Sequence, residues 1–112
     1  MNKANLDMNI FTMDFGKMDV STDKHFEKVQ EEYQELCHEF HQYNYFAFNK
    51  YPAFEQEKIK KKLCSEILDM IQSSISFAQH LIEKGLMTNE DIEAWKIKLE
   101  DRKKKYLKQE EN

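Results

Sequence analysis

Lys28-Val29-Gln30-Glu31-Glu32-Tyr33-Gln34-Glu35-Leu36 governs the reading of this 112-residue chain, together with a shorter echo, Ser65-Glu66-Ile67-Leu68-Asp69. On a helix a step of three or four residues returns to the same face, so Glu32 pairs with Glu35 and Glu66 pairs with Asp69. Like charges stacked this way cost a bare helix about 0.2–0.5 kcal/mol per pair. Two readings are open. Either pair alone is an ordinary solvated acidic face in a chain with 34% charged residues. Two pairs on two helices can instead hold a divalent cation, because carboxylate oxygens are hard ligands that suit Mg²⁺ or Mn²⁺.

The surroundings of both stretches predict helices. Ser21-Thr22-Asp23 is a cluster of N-cap residues. Behind it Phe26, Val29, Tyr33, Leu36, Phe40 and Tyr43 recur at alternating steps of three and four, a single apolar seam. Glu32 borders that seam, while Lys28, Glu35 and Glu39 turn further out and Glu31 further still. A pocket around Glu32 and Glu35 therefore requires another helix or a neighbouring subunit to cover that side. The pattern breaks over Asn44 to Phe54, where Tyr43, Tyr45, Phe46, Phe48, Tyr51 and Phe54 crowd a connection. These rings either stack on a nucleobase or plug a bundle end or dimer contact. Pro52 opens a second helix, expected over Ala53 to Lys84 with Gly85 as its stop. Leu63, Ile67, Met70, Ser74, Phe77 and Leu81 form one of its seams; Ile71, Ile75, Ala78 and Ile82 form a second, expected to be an association surface. Lys58, Lys60, Lys61 and Lys62 read as a solvated run, with Lys62 one turn from Glu66 and able to pair with it. Thr88-x-x-Asp91 resembles a capping box and starts a third helix, expected to reach Gln109. Its stripe is Ile92, Trp95, Leu99 and Tyr106, interrupted by Arg102 with Lys98 one turn earlier. A cation on an apolar stripe wants an anionic partner, or else it snorkels past the bundle edge.

Two glycines and one proline in 112 residues say helices and little else. A chain of this size makes one domain with a modest core, so a second copy is a natural way to bury more apolar surface. Seventeen Lys and Arg against 21 Asp and Glu, net charge −4, argue against nucleic acid as a main partner. No stretch reads as a signal peptide or membrane span, which makes a cytoplasmic location the expectation. Cys37 and Cys64 fall within helical patterns and read as reduced, small apolar side chains with no zinc spacing. Residues 1–20, with scattered Leu6, Met8, Ile10, Phe11, Met13, Phe15 and Met18 around Gly16, read as a short helix or a docking arm ahead of a helical domain at 21–112.

Glu31-Glu32-x-x-Glu35 followed by Glu66-x-x-Asp69 resembles the EExxE…ExxD signature of the MazG-like all-alpha nucleoside triphosphate pyrophosphohydrolases, which include the dimeric dUTPases. Lys98-Leu99-x-x-Arg102 is similar to the basic patch of many small members, so the likeness runs from about Asp23 to Tyr106. The resemblance implies an all-α antiparallel helical bundle, assembled as a homodimer or homotetramer. It implies Glu32, Glu35, Glu66 and Asp69 as ligands of Mg²⁺, or Mn²⁺, and hydrolysis of a nucleoside triphosphate to the monophosphate and pyrophosphate. Glu31 is then the candidate to orient or deprotonate the attacking water, and Lys28, Lys98 and Arg102 the candidates for substrate phosphate. The chain departs from the pattern at Ser65, where many relatives carry an acid, and at Trp95-Lys96-Ile97, which offers no asparagine. A di-iron bundle needs two Glu-x-x-His units, and Glu35-x-x-His38 supplies one. The other class to carry is a non-catalytic helical interaction or scaffold protein that keeps the bundle.

Overall fold

The computed structural model describes residues 4–11, 21–48 and 52–111, and among them the chain is all helical: a 3-10 helix at Met8–Ile10, α1 at Thr22–Phe48, α2 at Ala53–Glu83 and α3 at Asn89–Glu111. It divides into two compact units, Met1–His80 and Leu81–Asn112, with the boundary near the C-terminal end of α2. Among the described residues no helix is long and apolar enough to cross a membrane. Met13 to Val20 of the expected arm, and Tyr51 of the aromatic connection, lie outside the described residues.

In the first unit, Asp7 caps the 3-10 helix by accepting from the Asn9 N–H at 2.9 Å, and Phe11 just after it is buried. Ser21 caps α1, its Oγ accepting from the Lys24 N–H at 3.3 Å. The helix then runs on to Phe48, past the break expected at Asn44. No Gly or Pro lies between Asn44 and Phe48, so nothing in that segment ends the helix, and the apolar periodicity stops before the helix does. Pro52 stands just ahead of α2, its carbonyl accepting from the N–H groups of Glu55 and Gln56 at 3.0 and 3.1 Å.

α1 and α2 pair antiparallel. Thr22 Oγ1 and His80 Nε2 hydrogen-bond at 2.8 Å, the Phe26 and Phe77 rings meet at 6.2 Å, and further along Glu32 and Glu35 come against Glu66. The seam between them is unusual in its chemistry. Glu66, Ser73 and His80, seven residues apart on α2, turn toward α1, and the buried residues here are Glu32, Ser73 and His80. The apolar rows expected to be the core sit to one side: Val29, Leu36 and Tyr43 on α1 and Leu63, Met70 and Phe77 on α2 are half-buried. Cys37 is half-buried and Cys64 exposed, both free.

In the second unit, Gly85 ends α2 with φ 75°, a backbone conformation that side-chain-bearing residues resist, and the N–H groups of Leu86 and Met87 return to the Leu81 carbonyl at 2.8 and 3.1 Å. The capping box then forms: Asp91 Oδ2 accepts from the Thr88 N–H at 2.8 Å and the Thr88 hydroxyl at 3.0 Å, and Thr88 Oγ1 accepts from the Asp91 N–H at 3.4 Å. The Thr88 N–H, then its hydroxyl, hold the Asp91 carboxyl below the usual range. Its capping contribution is therefore present above the ordinary Asp range and fades as pH falls through the lowered value. Thr88→Ala should destabilise the start of α3 by about 1 kcal/mol. Amide hydrogen exchange at Asp91 reads this: faster exchange is expected, and an unchanged rate would contradict the cap.

Candidate metal centre

Glu32 lies on the same stripe of α1 as His25 and Glu39, one turn from Glu35 at about 100° per residue. The α2 helix is the element that covers this side. Oxygens of Glu32, Glu35 and Glu66 all fall within 4.8 Å of one another, the arrangement a single cation requires of its ligands. Glu32 is 7% exposed, Glu66 is half-buried and Glu35 is exposed. One oxygen of Glu32 and one of Glu66, Oε2 in each, is buried with no hydrogen-bond partner. A buried carboxylate oxygen without a donor is costly, and native structures rarely leave one so.

Lys28 partly answers this charge. Its Nζ lies 3.0 Å from Glu32 Oε1 and 3.7 Å from Glu31 Oε2. The hydrogen bond to Glu32, with the neighbouring carboxylates, raises the ammonium above the ordinary lysine value. Lys28 engages one oxygen of Glu32 and leaves the other bare. Glu66 shows the residue of the conflict: burial first, then the charges of Glu35 and Asp69, a hydrogen bond with Glu35 and the charge of Glu32 push its carboxyl above the usual glutamate range.

Of the four carboxylates expected as ligands, the structure brings three together. Asp69 is exposed and outside the three-oxygen cluster, because three residues of helix rotate it about 60° from Glu66. That rotation brings it to the wall of an adjoining cavity of about 530 Å³, which Glu31, Glu32 and Lys28 also line. Gln72, Ser73 and Ser76 of α2 and Lys24, His25 and Glu27 of α1 complete the wall. The Gln72 amide donates to Ser76 Oγ at 3.0 Å, and Ser73 Oγ donates to the Met70 carbonyl at 3.0 Å. None of these six was expected as a site residue; the seven-residue spacing of Glu66, Ser73 and His80 was the available signal. Lys62, expected beside Glu66, forms no ion pair with it among the described residues. Lys98 and Arg102 stand exposed on α3 in the second unit.

Comparison with protein-family models, with curated proteins and with solved structures returns no match to this chain. The reading of the centre therefore rests on its own chemistry. Hard oxygen donors, two of them buried and unpartnered, fit a hard divalent cation such as Mg²⁺ or Mn²⁺.

Because the Glu66 pKa is raised on folding, the folded chain binds its proton more tightly than the unfolded one. Stability from this group is greatest below the ordinary glutamate range and declines as pH rises through the raised value. Glu66→Gln removes that decline, so in metal-free buffer near neutral pH the variant should melt roughly a few degrees higher than the wild type. Thermal unfolding followed by circular dichroism tests this at about pH 5 and pH 7. A variant equally or less stable at the higher pH would contradict the assigned repulsion.

Proposed function

We propose that the chain is a Mg²⁺-dependent nucleoside triphosphate pyrophosphohydrolase, releasing a nucleoside monophosphate and pyrophosphate. The observation that carries the reading is the meeting of Glu32, Glu35 and Glu66 within 4.8 Å beside a cavity of about 530 Å³. The likeness of Glu31-Glu32-x-x-Glu35…Glu66-x-x-Asp69 to the MazG-like signature supports the choice of reaction. A divalent cation held there supplies positive charge against a polyphosphate and acidifies a water.

The chain's own groups divide the rest. Glu32, Glu35 and Glu66 hold the cation, with Glu32 fixed by burial and by Lys28. Glu31 is exposed on the cavity wall and its carboxylate lies 3.7 Å from the Lys28 ammonium, which supports the proposed role of orienting a water and accepting its proton. Asp69 lies on the facing wall and extends the acidic rim of the cavity. Lys28, drawn between Glu31 and Glu32 in the free chain, exchanges a carboxylate for a phosphate oxygen when substrate enters. Ser73, Ser76 and Gln72 offer hydroxyl and amide groups to the sugar and base. For Lys98 and Arg102, on the second unit, a part in holding phosphate rests on the sequence resemblance alone. Water attacks the α-phosphorus, the bond to the bridging oxygen of the β-phosphate breaks, and pyrophosphate leaves with that oxygen.

Pyrophosphate release from a panel of ribo- and deoxyribonucleoside triphosphates with Mg²⁺ or Mn²⁺ tests the proposal. Metal-dependent turnover is expected, falling by roughly 10²-fold or more in Glu35→Gln and in Glu66→Gln while both remain helical. Absence of hydrolysis across the panel, or full activity in both variants, would sink the enzyme reading in favour of a non-catalytic helical protein.

A further inference from the structure

The end of the hairpin away from Thr22 and His80, where α1 stops and α2 begins, has a chemistry of its own. No Asp or Glu lies between Glu39 and Glu55, and the stretch from Phe40 to Phe54 holds half of the chain's Phe, Tyr and Trp residues. The rings expected there as a plug are covered only in part. Phe46 is half-buried, with the Tyr45 ring perpendicular to it at 5.3 Å, while Tyr45 is 59% and Phe54 71% exposed. Behind them on α2 come Lys58, Lys60, Lys61 and Lys62, all exposed, and among the described residues none of the four reaches a carboxylate in an ion pair. Lys58 instead sets its Nζ over the Phe54 ring, 5.7 Å from the centroid. At about 100° per residue, Lys60, Lys61 and Lys62 are turned by about 200°, 300° and 40° from Lys58, so the four cations form a collar around the helix and not a stripe along it. Lys60 borders a cleft of about 220 Å³ with Tyr43 and Phe46 of α1.

We infer that this apex docks on an anionic lipid surface, its rings entering the headgroup layer and its lysine collar meeting the lipid phosphates and carboxylates. Three observations select that occupant. The first is the order along the helix axis: at about 1.5 Å of rise per residue, Lys58 and Lys62 stand about 6 and 12 Å behind Phe54. Interfacial aromatic side chains settle about 5–10 Å into the boundary between headgroups and acyl chains, so a hairpin that enters end-on carries its lysines at the level of the phosphates. The second is the collar itself, because a peptide or a nucleic-acid strand engages one side of a helix, whereas a membrane met end-on surrounds it. The third is the identity of the cations, which are all lysine. A lysine is a hydrated point charge on a flexible apolar stem, suited to snorkelling and to diffuse attraction, while paired recognition of a nucleic-acid phosphate favours the arginine fork. Four lysines against Glu55 and Glu57 make the opening turns of α2 locally positive in a chain of net charge −4. The acidic centre does not cancel this, since Glu66 lies about 18 Å along α2 from Phe54, beyond a Debye length of about 8 Å at physiological salt. The contact is peripheral, as no described helix is long and apolar enough to cross a membrane.

The inference does not depend on the carboxylate centre or on hydrolysis. Co-sedimentation of the full chain with vesicles tests it, phosphatidylcholine alone against phosphatidylcholine containing about one third phosphatidylserine. Binding to the mixed vesicles and not to the neutral ones is expected, weakening as salt is raised. At about fivefold per lysine, Lys60→Gln/Lys61→Gln/Lys62→Gln should lower the affinity by roughly 10²-fold, and Phe54→Ser should lower it as well. Lys103→Gln/Lys104→Gln/Lys105→Gln removes the same charge from α3 and leaves binding intact. All seven positions are exposed, so the variants keep their helical content, which circular dichroism checks. Absence of binding to the mixed vesicles, equal loss in the two triple variants, or unchanged binding of Phe54→Ser overturns the proposal. Capture of a single-stranded oligonucleotide in place of the vesicles overturns it too.

Discussion

Three carboxylates, Glu32, Glu35 and Glu66, stand within 4.8 Å of one another across the seam of a helical hairpin. At an effective dielectric near 20, two unit charges at such a distance repel by about 3–4 kcal/mol, and by less where Glu35 meets solvent. Lys28 offsets part of this through Glu32 Oε1, and the raised Glu66 pKa absorbs another part by favouring a proton. Neither serves the buried Oε2 atoms. The hairpin thus tolerates a repulsion that a divalent cation would turn into attraction, and such a cation would couple the stability of the first unit to occupancy of the centre.

The same placement of polar groups shapes the remainder of the unit. A stripe that carries Glu32 on one helix and Glu66, Ser73 and His80 on the other cannot also be the apolar core. The Phe, Tyr, Leu and Ile rows are displaced to one flank, where they remain partly in water. The hairpin is thus two-sided: the polar cavity lies on one flank and the half-exposed apolar rows on the other.

Much of this was legible in the residues. The N-caps at Ser21 and Thr88, the Gly85 stop and the three-and-four periodicities mark three helices because each is local and strong, and Glu32 was recognisable as bordering the α1 seam. What was not legible required knowing which side of α1 the α2 helix covers. Apolar periodicity pointed to the Phe26–Tyr43 row as the buried one, whereas the covered stripe is Glu32, Ser73 and His80. Asp69 illustrates the same limit, since an i, i+3 spacing puts it near Glu66 without telling that the intervening rotation turns it toward the cavity wall. The end of α1 at Phe48 also escaped the pattern, because helix continuation there depends on the absence of breakers and not on an apolar repeat. Lys28 counts among the expected substrate contacts, and its position between Glu31 and Glu32 came only with the structure.

The central claim, that the carboxylate centre is a divalent cation site, is tested most directly by Mn²⁺ binding to the full chain followed by electron paramagnetic resonance, with Glu32→Gln alongside. Saturable loss of the free Mn²⁺ signal at one ion per chain is expected, with reversal by Mg²⁺ and failure of the Glu32→Gln chain to take up the ion while retaining its helical content. An unchanged free Mn²⁺ signal in the wild type, or equal uptake by both chains, would contradict it.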